Sequence, residues 1–289
     1  MKLKRRLEER SWKVRFVFNR QAALSSVVIS KNQLLDRELI LAQGKSWHLA
    51  VTRAVQDFEA YGERDYGRPA RHTRRGMLPP KLAQIMINLA GQPRGRLLDP
   101  FCGVGTLIQE AYLRGWPEVV GSDIDQLAIK ASTKNLQRLK SGSRTLWKLK
   151  QVSVANLSQA WPARHFRAII SEPYLGPARE LSTTLSSSRW QAIEADLRRL
   201  YSQAFSQFAK ILEPDGLVVM IWPVFYRGQR PELMPLIDQV TAAGFQQQLP
   251  LVARTNLNRL LSERQTLLYH RPGQLVGREI TVWRRGSTR

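Results

Sequence analysis

The sequence predicts an α/β fold in which a largely parallel β-sheet is flanked by helices. From residue 96 onward, short apolar runs suited to buried strands alternate with longer segments whose apolar residues recur at helical spacing. A glycine turn follows the first of these strands, and an acidic residue follows the second. The chain has 289 residues, of which 43% are hydrophobic, so it can build one large core with a small additional unit.

The chain is expected to open with a small strand-rich segment over residues 1–60, too short for a stable core of its own. Residues 61–80 are rich in glycine, proline and arginine, which predicts a basic loop. The main α/β domain then occupies residues 81–289. The strands expected in the first segment are Trp12–Phe18, Leu24–Ser30, Glu38–Gln43 and His48–Val55.

The main domain should begin with a helix that starts near Pro80, where the missing N–H of proline costs little. Gly91 and Pro93 end this helix. Four of its apolar residues recur at helical spacing, which predicts one stripe packed against the core. They are Leu82, Ile85, Met86 and Leu89.

The next segment predicts a strand, a glycine turn and a helix start. Leu97 and Leu98 supply the apolar end of the strand. Gly103 and Gly105 can adopt positive φ and leave room for a ligand to approach the backbone. Thr106 opens a helix whose free N–H groups would face that ligand.

A second buried strand, around Val119 and Val120, ends at Asp123. An acidic residue at this place in an α/β sheet accepts hydrogen bonds from ribose hydroxyls. The dinucleotide pattern Gly-x-Gly-x-x-Gly is not completed, because its third glycine is replaced by Ile108, and no Gly-Lys-Ser/Thr phosphate loop is present. These features argue against NAD and ATP and favour an adenosyl ligand without a pyrophosphate, of which S-adenosylmethionine is the commonest.

Another buried strand covers Ala168–Ile170, and Ser171–Tyr174 leaves its C-terminal end, where ligands bind in open α/β sheets. The other expected helices are Ile108–Leu113, Gln126–Leu139, Trp190–Leu212 and Leu236–Val240. The other expected strands are Val152–Leu157, Leu217–Trp222, Phe245–Val252, Leu267–His270 and Arg278–Trp283.

The chain is strongly basic, with 45 Lys and Arg against 23 Asp and Glu and a net charge of +22. This excess favours a nucleic-acid partner over a solubility surface or a membrane-facing patch. Arginine binds phosphate and stacks on bases, and tyrosine offers a stacking face, so the basic loop is a candidate nucleic-acid contact. The alternative is a solvated linker with local charge pairing. The candidate contacts are Arg64, Tyr66, Arg68, Arg71, Arg74 and Arg75.

The single cysteine, Cys102, excludes an internal disulfide and a cysteine zinc site, and no metal is expected. No apolar run approaches the roughly 18 residues of a membrane span. The charged N-terminus lacks the apolar region of a signal peptide. We therefore expect a cytoplasmic protein without a membrane partner.

The stretch Asp-Pro-Phe-Cys-Gly-x-Gly-Thr, residues 99–106, resembles the cofactor loop of Rossmann-like class I methyltransferases that modify RNA. It is most similar to that of the tRNA guanine-N2 methyltransferases, which are usually fused to a THUMP domain. The Arg68-Pro69 pair and the Pro80-Lys81 helix start also resemble that family. The resemblance implies S-adenosylmethionine as cofactor and antiparallel closing strands. It assigns cofactor binding to Asp99, Pro100, Phe101, Cys102, Gly103, Gly105, Thr106, Asp123 and Ile124, with Asn156 as a substitute for the usual adenine contact.

The family carries Asp/Asn-Pro-Pro-Tyr where this chain has Ser171, Glu172, Pro173 and Tyr174, which are the candidate catalytic residues. Such a motif offers oxygen acceptors to an exocyclic amine and an aromatic face to its base. Ser171 replaces the Asp or Asn and could accept through its hydroxyl. Glu172 replaces the first proline and could accept through its carbonyl or carboxylate. Tyr174 would stack on the flipped or unpaired base.

The resemblance favours methyl transfer to an exocyclic amine of RNA, with guanosine N2 in tRNA as the best match. Two alternatives stay open: a DNA adenine-N6 or cytosine-N4 methyltransferase, and a catalytically inactive RNA-binding protein of the same fold. We expect no THUMP domain, because only about 60 residues precede the basic loop. RNA docking would then use the N-terminal segment, a separate docking subunit or the basic surface alone.

Overall fold

The computed structural model of the chain forms two compact units, Met1–Gly67 and Arg68–Arg289. No helix among the described residues has the length and apolar character needed to cross a bilayer. The structure describes residues 2–14, 23–71, 77–139, 145–177, 186–227, 230–250, 261–271, 274 and 276–286.

In its described part, the N-terminal unit holds a hairpin and three helices. The hairpin strands are antiparallel, with Leu39 opposite Val51, and they confirm the strands predicted in this region. Its elements are α1 (Lys2–Glu8), α2 (Ser26–Lys31), β1 (Leu39–Gln43), β2 (Trp47–Val51) and α3 (Phe58–Asp65).

Two predictions for this unit are wrong, because helices form where a strand and a loop were expected. The strand expected over Leu24–Ser30 is helix α2, which begins after Ser25, whose hydroxyl accepts from the Val28 N–H. The basic loop begins as a helix, because α3 extends to Asp65. Of the strand predicted over Trp12–Phe18, residues 12–14 are in neither helix nor strand, and 15–18 lie outside the described residues.

The main unit is a sheet with helices on both faces. Its elements are α4 (Pro80–Leu89), β3 (Arg96–Asp99), α5 (Thr106–Leu113), β4 (Glu118–Asp123), α6 (Gln126–Gln137), β5 (Leu146–Gln151), α7 (Leu157–Ala160), β6 (Phe166–Ser171), α8 (Ser187–Ile211), β7 (Leu212–Arg227), β8 (Arg230–Leu233), α9 (Ile237–Ala242), β9 (Phe245–Gln248), β10 (Leu267–Tyr269) and β11 (Val276–Arg285).

The strand order is β10-β11-β7-β6-β3-β4-β5, with β8 paired to β7 and β9 to β11. The five strands from β7 to β5 are parallel, and β11 and β10 close the sheet in antiparallel pairs. This arrangement confirms the predicted α/β fold. The chain moves outward from β3 to β5 and returns to β6 on the other side of β3. Strand order therefore reverses between β3 and β6, which is where open α/β sheets bind ligands.

Two apolar clusters cover the faces of the sheet, and both contain predicted core residues. On one face, α8 buries Tyr201, Phe205 and Phe208, as its helical stripe predicts. On the other face, α4 buries Leu82 and Met86. The expected burial of Ile85 is wrong: its side chain is 44% exposed, because the buried stripe of α4 is rotated toward Ala83 and Ile87.

The third parallel strand lies earlier than predicted. The strand is β5, and Val154–Asn156 forms a single 3₁₀ turn instead of the expected strand. Because β5 is the edge of the sheet, Leu146 is exposed and lysines alternate along it at Lys148 and Lys150, so no continuous apolar run marks it. The following segment carries the apolar residues but curls into the turn capped by Ser153.

Candidate functional site

The C-terminal ends of β3 and β6 meet where the strand order reverses. Asp99 ends β3 and Ser171 ends β6, and the Ser171 hydroxyl donates to Asp99 Oδ1 at 2.5 Å. The Phe101 N–H donates to the same oxygen at 3.2 Å. Asp99 is 2% exposed and Ser171 1% exposed, so this contact is shielded from water. The sequence predicted both as residues of one site but did not predict the hydrogen bond between them.

Burial dominates the electrostatics of Asp99. Desolvation raises the pKa of its carboxyl from 3.8 to about 7, against the opposing hydrogen bonds from Ser171 and Phe101. The carboxylates of Asp123 and Glu172 add to the rise in pKa. Asp99 therefore exchanges a proton near neutral pH.

The glycine turn exposes backbone on one side and packs closely on the other. Gly103 and Gly105 both adopt positive φ, at 51° and 84°. A Cβ at Gly105 would lie 2.2 Å from Ser132 Oγ on α6, so only glycine fits there. A Cβ at Gly103 would meet nothing within 4 Å. The turn thus has an open side at Gly103, where a ligand can reach the main chain.

Asp123, at the end of β4, is tied to this turn. Its Oδ2 accepts from the Gly103 N–H at 3.0 Å, and its Oδ1 accepts from the Asp125 N–H at 2.9 Å. Each carboxylate oxygen keeps capacity for a further donor. The neighbouring Ile124 is 71% exposed and presents an apolar surface. The structure therefore brings the two predicted cofactor segments into direct contact.

The other predicted cofactor residues differ in burial. Pro100 is buried, and Phe101 is half-buried against the core. The Cys102 N–H donates to the Ser122 carbonyl at 2.9 Å, and burial raises the pKa of its thiol well above the ordinary value. Asn156 is exposed at the end of the 3₁₀ turn that follows β5.

Two side chains beneath the glycine turn act as structural links. Asn135, on α6, donates to the Val104 carbonyl at 2.9 Å and exchanges two hydrogen bonds with the Ala70 backbone. Arg68 is buried, and its Nη1 donates to Thr106 Oγ1 at 2.5 Å. Arg68 therefore supports the start of α5, which corrects its predicted role in nucleic-acid binding. The sequence analysis missed Asn135, although an asparagine within a helix is itself a signal of a side-chain contact.

The loop after β6 is held by two partners that the sequence analysis missed. Glu172 Oε1 accepts from Arg278 Nε on β11 at 2.5 Å, and both side chains are largely buried. Burial raises the pKa of Glu172, and the Arg278 guanidinium opposes that rise. The Tyr201 hydroxyl, on α8, donates to the Tyr174 carbonyl at 2.7 Å. Pro173, which lies between Glu172 and Tyr174 in the chain, is buried, whereas Tyr174 is 58% exposed.

The remaining nucleic-acid candidates are spread over both units. In the N-terminal unit, the Arg64 guanidinium carbon lies 4.6 Å from the Tyr61 ring centroid, and Tyr66 is exposed. In the main unit, Arg71 is exposed. Arg74 and Arg75 lie outside the described residues. A nucleic-acid role for these residues stays a prediction.

The chain is similar in sequence to known methyltransferases. Residues 68–224 match the UPF0020 family, described as RMKL-like, methyltransferase domain. A tRNA (guanine(10)-N2)-dimethyltransferase from Pyrococcus abyssi is 33% identical over 125 residues, 43% of this chain and 35% of that protein. A protein of the same name from Methanothermobacter thermautotrophicus is 49% identical over 63 residues, 22% of this chain and 18% of that protein. The matches thus span about a third or less of these relatives.

The fold also matches a solved structure. TrmN from Thermus thermophilus aligns with a TM-score of 0.51 and 19% sequence identity, over 86% of this chain and 59% of that chain. At this identity the likeness concerns the fold alone.

Proposed function

The chain belongs to the UPF0020 family of RMKL-like methyltransferase domains, and from that premise we propose that it methylates the N2 amine of a guanosine in tRNA, with S-adenosylmethionine as donor. The observation that carries the proposal is the contact between Ser171 and Asp99 at the reversal of strand order, beside the turn joined to Asp123. The name of the curated relatives supports guanosine N2 in tRNA, and the net charge of +22 supports a polyanionic substrate.

The donor set of this site fits S-adenosylmethionine. Asp123 has carboxylate oxygens for ribose hydroxyls, and Gly103 leaves space beside the main chain. Asp99, Asp123 and Glu172 make the site acidic, which suits a cationic group. When bound, the cofactor supplies a methyl group on a cationic sulfur. We propose that residues 99–106 and 123–124 hold it, with Ile124 and Asn156 at the adenine.

The residues after β6 would prepare the amine. The lone pair of the amine is delocalised into the base, so the nitrogen is a poor nucleophile. Acceptors that hold its N–H groups can orient the nitrogen so that its lone pair points at the methyl group. Ser171 can accept, because its own proton is donated to Asp99. Since Arg278 engages the Glu172 carboxylate, the backbone carbonyl of Glu172 would be the second acceptor. Tyr174 would stack on the base, in a loop held by Pro173 and Tyr201.

We further propose that RNA contacts the arginines and the tyrosine predicted for this role from the sequence, either directly or with a separate docking subunit. The reaction would take place in the cytoplasm. The proposed RNA contacts are Arg64, Tyr66, Arg71, Arg74 and Arg75.

Methyl transfer to total tRNA tests the proposal, with duplex DNA as the competing substrate and the products identified by nucleoside mass spectrometry. We expect N2-methylguanosine in tRNA and no methylated adenine or cytosine in DNA. Methylated DNA would support the amino-methyltransferase alternative. Cofactor binding in calorimetry without transfer to any nucleic acid would support the binding-protein alternative, and either result overturns the proposal.

A glycine pair provides the matched control for the cofactor site. Gly103 and Gly91 both have positive φ, and a Cβ at either would meet nothing within 4 Å. Gly103→Ala should weaken S-adenosylhomocysteine binding in calorimetry at least about tenfold, equivalent to about 1.4 kcal/mol. Gly91→Ala, after α4, imposes similar backbone strain and should leave binding unchanged. Equal effects of the two substitutions would contradict the proposed place of the cofactor.

A further inference from the structure

Resting on the proposed function, we propose that Ser171 and Asp99 form a proton relay for the methylated amine. The Ser171 hydroxyl would take a proton from the nitrogen and pass its own proton to Asp99. Ser171 is thereby a catalytic residue that touches the substrate, and Asp99 acts through it.

The geometry of the two side chains supports this relay. They come from adjacent parallel strands, in which Leu98 is in register with Ile169, so both side chains lie at the same edge of the sheet. The distance of 2.5 Å between Ser171 Oγ and Asp99 Oδ1 is that of a strong, charge-assisted hydrogen bond. Since Asp99 is the acceptor, the lone pairs of Ser171 Oγ remain for an N–H of the substrate.

The chemistry needs an acceptor for one proton. The nitrogen lone pair forms the new C–N bond as the carbon–sulfur bond breaks, and sulfur keeps the electrons of that bond. The nitrogen then carries a positive charge and must lose a proton. Asp99 and Ser171 are almost completely buried, so an internal acceptor replaces bulk water. That proton moves to Ser171 Oγ while the hydroxyl proton moves to Asp99 Oδ1, and Asp99 becomes a neutral carboxylic acid.

The surroundings of Asp99 suit this task. Asp123 faces it from β4 and Glu172 from the loop after β6, and Glu172 is paired with Arg278 from β11. The buried thiol of Cys102, in the glycine turn, is also near Asp99, whose negative charge adds to the rise in the thiol's pKa. With its pKa raised to about 7 by burial, Asp99 can both accept and release a proton at neutral pH.

Single-turnover methyl transfer as a function of pH tests the relay. For the unaltered chain, the rate should rise about tenfold per pH unit and level off at or below pH 7, because the acceptor must be ionised and the cationic sulfur favours the carboxylate. Asp99→Asn should be about 100-fold slower and lack this rise. Glu172→Gln removes the other buried carboxyl with a raised pKa, and whatever its rate, its pH profile should keep the rise.

The hydroxyl is tested with Ser171→Ala and Ser171→Thr. The alanine variant should lose about 100-fold in rate, whereas the threonine variant keeps a hydroxyl and should retain most of the rate.

Carbon-13 NMR of the Asp99 carboxyl, in the chain without cofactor, gives a second test that is independent of turnover. The alanine variant should titrate at higher pH than the unaltered chain, because the carboxylate loses a hydrogen-bond donor.

The outcomes separate the relay from the proposed function. If the unaltered chain transfers methyl and Asp99→Asn keeps its rate and pH profile, the relay is wrong and the function stands. An unshifted Asp99 titration in Ser171→Ala would likewise overturn the relay. If the unaltered chain transfers no methyl to RNA, the function fails and the relay fails with it.

Discussion

The two halves of the candidate site are held together in different ways. The cofactor half, residues 99–106 with Asp123, relies on backbone groups and on glycines, as in the Gly103–Asp123 contact. The amine half, residues 171–174, relies on side chains from distant elements: Asp99 on β3, Arg278 on β11 and Tyr201 on α8. Backbone contacts depend on local conformation, whereas side-chain contacts depend on the whole sheet, so substitutions should affect the two halves differently.

Among substitutions in the cofactor half, Gly105→Ala should have the largest effect on stability and on cofactor binding. Its φ of 84° and a Cβ placed 2.2 Å from Ser132 Oγ combine backbone strain with a clash. We expect a loss of about 3 kcal/mol in the free energy of unfolding, measured with urea, and loss of cofactor binding. The matched Gly91→Ala, with strain but no clash, should cost only about 1 kcal/mol. Equal losses would refute the close packing of the turn on α6.

Asp99 joins the halves, and its titration should make stability depend on pH. Its folded-state pKa of about 7 lies above the ordinary 3.8, so the folded chain binds more protons between these values. Its contribution to the free energy of unfolding should therefore fall as pH rises from about 4 to about 7, by roughly 4 kcal/mol. Asp99→Asn should remove this fall and be more stable than the unaltered chain at pH 8. A pH dependence shared by both chains would contradict the raised pKa.

The amine half should be weakened by Arg278→Met, which leaves Glu172 buried without its cation. We expect a loss of about 2 kcal/mol at pH 8 and a smaller loss as the pH is lowered, because burial favours the protonated form of Glu172. Methyl transfer should fall while cofactor binding persists. Arg96→Met is the control, because the Arg96–Glu118 pair has a similar 2.7 Å contact but an exposed arginine, and it should cost less than about 1 kcal/mol. Equal costs would show that burial does not set the strength of the Glu172 pair.

The smallest effect is expected from Tyr201→Phe, which removes one hydroxyl and leaves the Tyr174 carbonyl without that donor. The free energy of unfolding should drop by about 1 kcal/mol. Methyl transfer should slow while S-adenosylhomocysteine affinity, measured by calorimetry, stays constant. A change in that affinity would show that the two halves are coupled more strongly than their separate contacts suggest.

The sequence analysis succeeded where a structure is set by neighbouring residues. The buried strands, the glycine turn and the stripe of α8 follow from apolar spacing and from the backbone freedom of glycine. It failed where local patterns were overruled. Edge strand β5 lacks an apolar run because half of its residues face water. The segment Leu24–Ser30, which was expected to be a strand, contains the capped helix α2.

For the site, the sequence by itself predicted Asp99, Gly103, Asp123 and the segment Ser171–Tyr174 as candidates, because each lies in a glycine turn or follows a buried strand. Tertiary structure decided how they are partnered. The Ser171–Asp99 contact spans 72 residues of chain and the Glu172–Arg278 pair spans 106, and it is sheet order that makes such distant residues neighbours. Tertiary structure also decided that Arg68 is buried beneath the glycine turn and does not lie on an open surface. Local spacing encodes the conformation of a segment, but strand pairing determines which side chains share a proton or a charge.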